Sequence, residues 1–192
     1  MTSQVLVLSE EQRNNFNSLD MTDNMFLRAA ETLFVIAGRI KKVSLDMEPL
    51  ALQNYLITQI QVMETQLHQG NIRAENIMLA KYFMCCFLDD LIEYELLSPD
   101  AWRVYHLLFY FFQEKNPDAR MLNLIENLQQ EPAANLALIE LVYMLLLYGY
   151  QGAYRNMPNG HYRFLEKLDE LYHILHWQYG DFRKNLFISA QS

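Results

Sequence analysis

Four acids crowd the end of one apolar stretch: Asp89, Asp90, Glu93 and Glu95 within residues 77–97, IMLAKYFMCCFLDDLIEYELL. Read as a helix, this stretch breaks several local preferences. Acids are unfavourable near a helix C-terminus, where the macrodipole is negative. Asp89 and Glu93 form an i,i+4 like-charge pair, and Asp is a mediocre helix former. Sequences that break local rules in one place often do so at a functional or strained site.

Acids on a helix can bind metal, act as acid and base, or dock basic groups. A carboxylate-bridged di-metal centre needs two Glu-x-x-His pairs and two further inward Glu. Glu170-Leu171-Tyr172-His173 is one such pair, and the surroundings of His68, His106 and His161 supply no second. His173 and His176 share a helix face, but with no Cys ligand they make a poor zinc site and read as surface residues. Cys85 and Cys86 lie in an apolar run without a neighbouring His, a setting for packing rather than attack. Gly-x-Ser-x-Gly, a Walker loop and a dinucleotide turn are all missing. The basic group Arg39, Lys41 and Lys42 reads as the solvated end of a helix. Catalytic residues, a metal and a cofactor are therefore not expected.

A second unusual stretch is Tyr148-Gly149-Tyr150-Gln151-Gly152-Ala153-Tyr154-Arg155. Its glycines permit positive φ and close backbone approach. Tyr and Arg are the residue types that anchor interfaces. The stretch reads equally as a helix cap with core tyrosines and as a partner-binding loop, and the two are compatible.

Composition narrows the field. The chain has 192 residues, 13% of them aromatic, few Gly or Pro, and a net charge of −8. It is long enough to bury a sizeable core. The acidic balance argues against nucleic acid, which requires a dense Lys/Arg footprint. Two adjacent cysteines cannot form a disulfide framework and suit a reducing compartment. The opening MTSQVLVLSEEQRN lacks the charge and apolar run of a secretory signal. Nowhere does the sequence reach the eighteen or so apolar residues of a membrane span.

The elements that position these residues are marked by proline and glycine. Residues 1–18 are polar and expected to be loose. Apolar positions from Met21 to Ile40 predict a first helix. Asp46 and Pro49 open a second that runs to Gly70. Ser98-Pro99-Asp100 opens one through Trp102 to Phe112, and Asn116-Pro117-Asp118 a shorter one. Glu131-Pro132 leads into 136–148, apolar all round except for Glu140, and Pro158-Asn159-Gly160 introduces 161–179. A short amphipathic tail is expected after Gly180. Strand alternation is absent. The fold class is thus all-α: a compact bundle of about seven or eight helices, mostly antiparallel, with 136–148 at its centre. Glu140 needs a partner there, from Arg155, Arg103 or a tyrosine hydroxyl.

The order of these motifs resembles the DotU/IcmH proteins of type IVB secretion and their TssL relatives of type VI secretion. That pattern is an apolar helix ending in Leu-Asp-Glu, a Trp-led helix with Leu-Leu-x-x-Phe, and a short acidic or amide-rich helix. Asn-Leu-x-Leu-Leu-Glu and Leu-Gly-Phe-x-Gly-x-Tyr-Arg follow. The counterparts are Leu88-Asp89-Asp90, Trp102 with Leu107-Leu108-Phe109, Asn135-Leu136-Ala137-Leu138-Ile139-Glu140, and the stretch from Tyr148 to Arg155. The acidic pair is Asp-Asp, and Asn116-Pro117-Asp118-Ala119-Arg120-Met121 stands where the type VI branch has Gly-Gly-x-x-Phe-Phe. These departures favour the type IVB branch.

The resemblance implies a non-enzymatic cytoplasmic domain, residues 19–180, at the bacterial inner membrane. Residues 181–192 would be a juxtamembrane tail leading to a membrane helix outside this chain. It would stabilise a secretion complex with an IcmF/TssM-like protein and other subunits, with room for a homodimer. Expected partner-binding residues are Asp89, Asp90, Glu93, Glu95, Tyr150, Gln151, Tyr154 and Arg155, with Trp102, Glu140, Gly149 and Gly152 structural. One of Asp89 and Asp90 is expected to bond inward as a lock, leaving Glu93 and Glu95 for a partner. The alternatives are a type VI TssL-like baseplate-docking component and a di-metal helical enzyme.

Overall fold

The computed structural model describes residues 24–42 and 47–189. The expected loose segment 1–18, Met21, Asp46 and the side chains after Gly180 lie outside what is described. Helices α1 (Met25–Ala29), α2 (Glu31–Lys42), α3 (Pro49–Gln69) and α4 (Ala74–Glu95) come first. Next are α5 (Pro99–Trp102), a 3-10 turn (Arg103–Tyr105), α6 (Leu107–Phe112), α7 (Asp118–Gln130) and α8 (Pro132–Leu147). A second 3-10 turn (Gly152–Asn156) precedes α9 (Gly160–Ser189). The expected all-α class is borne out, and the described residues contain no strand.

Two helices share the centre. Residues 138–146 of α8 are buried without a break, because the stretch offers no polar face to water except at Glu140. Residues 82–89 of α4 are equally enclosed, which accounts for the apolar first half of the opening motif. Around them pack α2, α3 and α6 on α4, and α1, α7 and α9 on α8.

Helix starts follow the local signals. Pro49, Pro99 and Pro132 occupy first-turn positions, where a missing N–H costs nothing. Asn24 caps α1 by accepting from the Phe26 and Leu27 amides. The end of α8 is a Schellman motif: Tyr150 N donates to Leu145 O and Gly149 N to Leu146 O, both at 3.0 Å. Gly149 sits there at φ +104°, with the Lys41 side chain laid against it; an added Cβ would lie 2.5 Å from Nζ. Gly149→Ala is expected to cost about 1–3 kcal/mol in urea denaturation. An unchanged midpoint would show that the turn relaxes at no cost.

Three boundaries differ from expectation. The first predicted helix is interrupted at Ala30, where Ala30 N→Phe26 O and Phe34 N→Ala30 O still form, so the interruption is a kink rather than a loop. The single helix expected over 99–112 is three pieces, for a reason that belongs to the site below. The last helix continues through Gly180 to Ser189 instead of ending before a separate tail. An isolated glycine costs a helix only about 1 kcal/mol against Ala.

Candidate functional site

The acidic half of α4 is a clamp. Asp89 and Glu93 lie one turn apart and face the α5–α6 segment. Asp89 Oδ1 accepts from the Trp102 indole and from Leu107 N, and Oδ2 from Leu108 N, all at 2.9 Å. The carboxyl is buried, at 6% exposure. It thereby caps α6 from a neighbouring helix, satisfying two N–H groups that α6 cannot satisfy itself. This capping is why the chain breaks at His106, whose backbone is extended (φ −51°, ψ 128°). One turn on, Glu93 Oε1 meets His106 Nε2 at 2.6 Å.

Asp90 and Tyr94 form a parallel row facing the other loop. Asp90 Oδ2 accepts from Gln151 N at 3.2 Å and from the Arg155 guanidinium at 2.7 Å. The same guanidinium lies 4.0 Å from the centre of the Tyr94 ring, within cation–π range. The i,i+4 clash between Asp89 and Glu93 is thus offset because each acid meets its own donors. Burial pushes the Asp89 carboxyl up to about 6, opposed by His106 and by the amides of Leu108 and Leu107 and the Trp102 indole.

Between the clamped loops and the start of α7 lies a cleft of about 270 Å³. Its polar rim includes Asp90, Glu93, Asp118, Lys115, His106 and Arg155. Burial raises the Asp118 carboxyl, and the nearby Asp90 charge raises it further.

The residues singled out by sequence separate into different environments. Asp89, Asp90 and Glu93 are all engaged within the chain, so the inward lock expected of one aspartate is shared by both. Glu95 is exposed. Tyr150 and Tyr154 are core side chains at 3% and 6% exposure, which corrects their placement on a partner-facing surface. Tyr154 packs edge-on to Phe164. An added Cβ at Gly152 (φ +43°) would collide with the Tyr150 ring. Gln151 and Arg155 are partly exposed and remain at the rim. Trp102 is fully buried.

Glu140 also departs from the expected partners in part. Arg103 reaches Asp100, and Arg155 reaches Asp90. Glu140 Oε2 instead accepts from Asn24 Nδ2 and from the Tyr179 hydroxyl, each at 2.7 Å. The tyrosine option holds, from a residue far along the chain. Sequence reasoning missed Asn24 as a cap, and a helix start placed four residues later would have found it. It also missed His106 and Tyr94 as members of the site, for which no sequence signal existed.

The motifs weighed for chemistry do not converge. Glu170 bonds Lys167 and Gln129, while His173 lies 3.5 Å from Asp169. Burial raises both the Cys85 and Cys86 thiols, opposite to what a nucleophile needs. Among the described residues, no group of three or more metal-ligating side chains comes together. No helix there is long and apolar enough to cross a membrane.

The polar residues of this helical scaffold brace two loops around a cleft. Residues 25–191 match the family described as type VI secretion system protein DotU, and the chain belongs to that family. It is a non-enzymatic structural component of a bacterial secretion system. A comparison with curated proteins gave no match. Among solved structures, TssL from Vibrio cholerae is similar at TM-score 0.73 and 22% identity, over 81% of this chain and 97% of that one. The cytoplasmic domain of TssL from Acinetobacter baumannii gives TM-score 0.68 and 20% identity, over 78% and 98%. These likenesses carry the fold.

Proposed function

We propose that the chain is a DotU/IcmH-like component of the type IVB branch, bracing an inner-membrane complex together with an IcmF/TssM-like protein. Residues 19–180 are the docking domain on the cytoplasmic side. Residues 181–192 are the juxtamembrane stretch ahead of a membrane helix outside this chain. Support for a docking role comes above all from the double clamp, which rigidifies two loops around a polar cleft without any chemistry at its floor. Pre-organised rims bind with less ordering cost. The branch reading is supported by residues 116–121, whose first three line the cleft where the type VI branch carries a different motif.

The direct probes are two exposed acids, Asp118 at the cleft rim and Glu95 at the end of α4, since Glu93 is tied to His106 and its removal would disturb the fold. Purified chain carrying Glu95→Lys and Asp118→Asn is expected to bind the IcmF/TssM-like protein about tenfold more weakly. Its thermal midpoint should stay within about 4 °C of wild type, since two surface changes cost roughly 1 kcal/mol together. Unchanged affinity would remove both the Asp118 rim and the acidic end of α4 from the interface. Capture of baseplate subunits instead would move the chain to the type VI reading.

A further inference from the structure

On a separate face, α2 and the end of α8 enclose an apolar groove of about 730 Å³. Its floor is Phe34, Met144, Leu147 and Tyr148, with the Phe34 and Tyr148 rings 4.8 Å apart. Glu31, Phe34, Val35, Gly38 and Lys41 line it from α2. They follow the i, i+3, i+4, i+7, i+10 rhythm of one helix face, about 15 Å long at 1.5 Å per residue.

Three observations indicate what the groove receives. Val35 is 51% exposed at its rim. Gly38 lies mid-helix, where glycine costs about 1 kcal/mol against Ala, yet a Cβ there would meet nothing within 4 Å. No contact among the described residues requires that glycine, whereas a second backbone approaching the groove would. Finally, the groove has opposite charges at its two ends, Glu31 and Lys41, and neither forms a salt bridge among the described residues. Lys41 is exposed at the groove mouth, and burial of its amine lowers it, with Glu95 opposing.

We infer that this groove docks an amphipathic helix of a partner protein, running antiparallel to α2, with acidic residues in its first turn over Lys41 and basic residues in its last turn over Glu31. That orientation satisfies both groove charges. It also matches the partner helix's own macrodipole and sets the two helix dipoles antiparallel. The apolar stripe of such a helix fills the floor, as in other helix-in-groove recognition. Gly38 lets the backbones approach closely.

The test uses two stapled synthetic helices of about 14 residues sharing one Leu stripe at i, i+3, i+4 and i+7. The first carries Glu in its first turn and Lys in its last; the second has these charges exchanged. Titrated against the full chain by fluorescence anisotropy, the first is expected to bind about tenfold more tightly. Glu31→Lys with Lys41→Glu should invert that order. Gly38→Leu should weaken binding of the first peptide about tenfold while the thermal midpoint holds or rises, since Leu is the better helix former. Equal affinity for both peptides, or none, overturns the inference. So does binding that appears only after Leu6→Ser and Leu8→Ser, which would make the chain's own N-terminal segment the occupant. Concentration-dependent dimerisation in light scattering that Gly38→Leu abolishes would assign the groove to a second copy, and overturns it equally.

Discussion

Asp89→Ala is expected to lower the unfolding free energy by about 3–5 kcal/mol, because it strands several buried donors at roughly 1–3 kcal/mol each. The Trp102 indole and the Leu107 and Leu108 amides all converge on this one carboxyl. Asp89→Asn should also destabilise, by about 2 kcal/mol, since one oxygen becomes an NH2 facing an N–H donor. Urea denaturation measures both variants. A loss below about 1 kcal/mol for the alanine would mean that α6 finds another cap or that water enters.

The pH dependence of this site has a definite sign. Burial raises the Asp89 carboxyl from its ordinary value of 3.8 to about 6, so the folded state holds a proton that the unfolded chain has already released. The contribution is therefore fully present below about pH 4 and is lost as pH rises through about 6. The stability difference between wild type and Asp89→Asn should accordingly be larger at pH 4 than at pH 7. A difference that grows with pH would show that the converging N–H groups outweigh burial.

Glu140→Ala is expected to cost about 3–4 kcal/mol, combining lost packing with two donors left without their acceptor. Glu140 is 0% exposed, and its Oε2 joins the cap of α1 to α9 across α8. Asn24 retains its bond to Ala137 O at 2.8 Å, so the Tyr179 hydroxyl is the donor left more exposed to loss. Glu140→Gln keeps an oxygen for both donors and should cost less than about 1 kcal/mol. Oε1 has no partner among the described residues, and an amide there sacrifices no existing bond. Tyr179→Phe should cost about 1 kcal/mol and speed hydrogen exchange in residues 172–180 more than in α8, because it frees one end of the tie. Uniform exchange changes across the chain would mean that the contact does not fasten α9 in particular.

Local signals carried much of this fold. Proline in first turns marked the starts of α3, α5 and α8, and Gly149 marked the stop of α8, because those constraints act within a few residues. The run 136–148, apolar except for Glu140, identified a central helix for the same reason: a helix with almost no polar face has nowhere else to be. By contrast, the break inside 99–112 was illegible, since that segment is an adequate helix former throughout. Only Asp89, brought alongside by the packing of α4, supplies acceptors that a break at His106 can use.

The acidic end of α4 divides along the same line. Sequence by itself established that Asp89, Asp90, Glu93 and Glu95 were out of place for an ordinary helix end, and motif order placed them in a secretion-system family. Which of them face inward could not be read from spacing, because residues one turn apart share a face whatever that face meets. Tertiary structure paired Asp89 and Glu93 with one loop, and Asp90 and Tyr94 with the other, leaving Glu95 exposed. It likewise turned Tyr150 and Tyr154 into the core while keeping Gln151 and Arg155 at the rim. Hydrogen-bond donors 13 to 65 residues away decided these roles, and such separations are settled only when the helices pack.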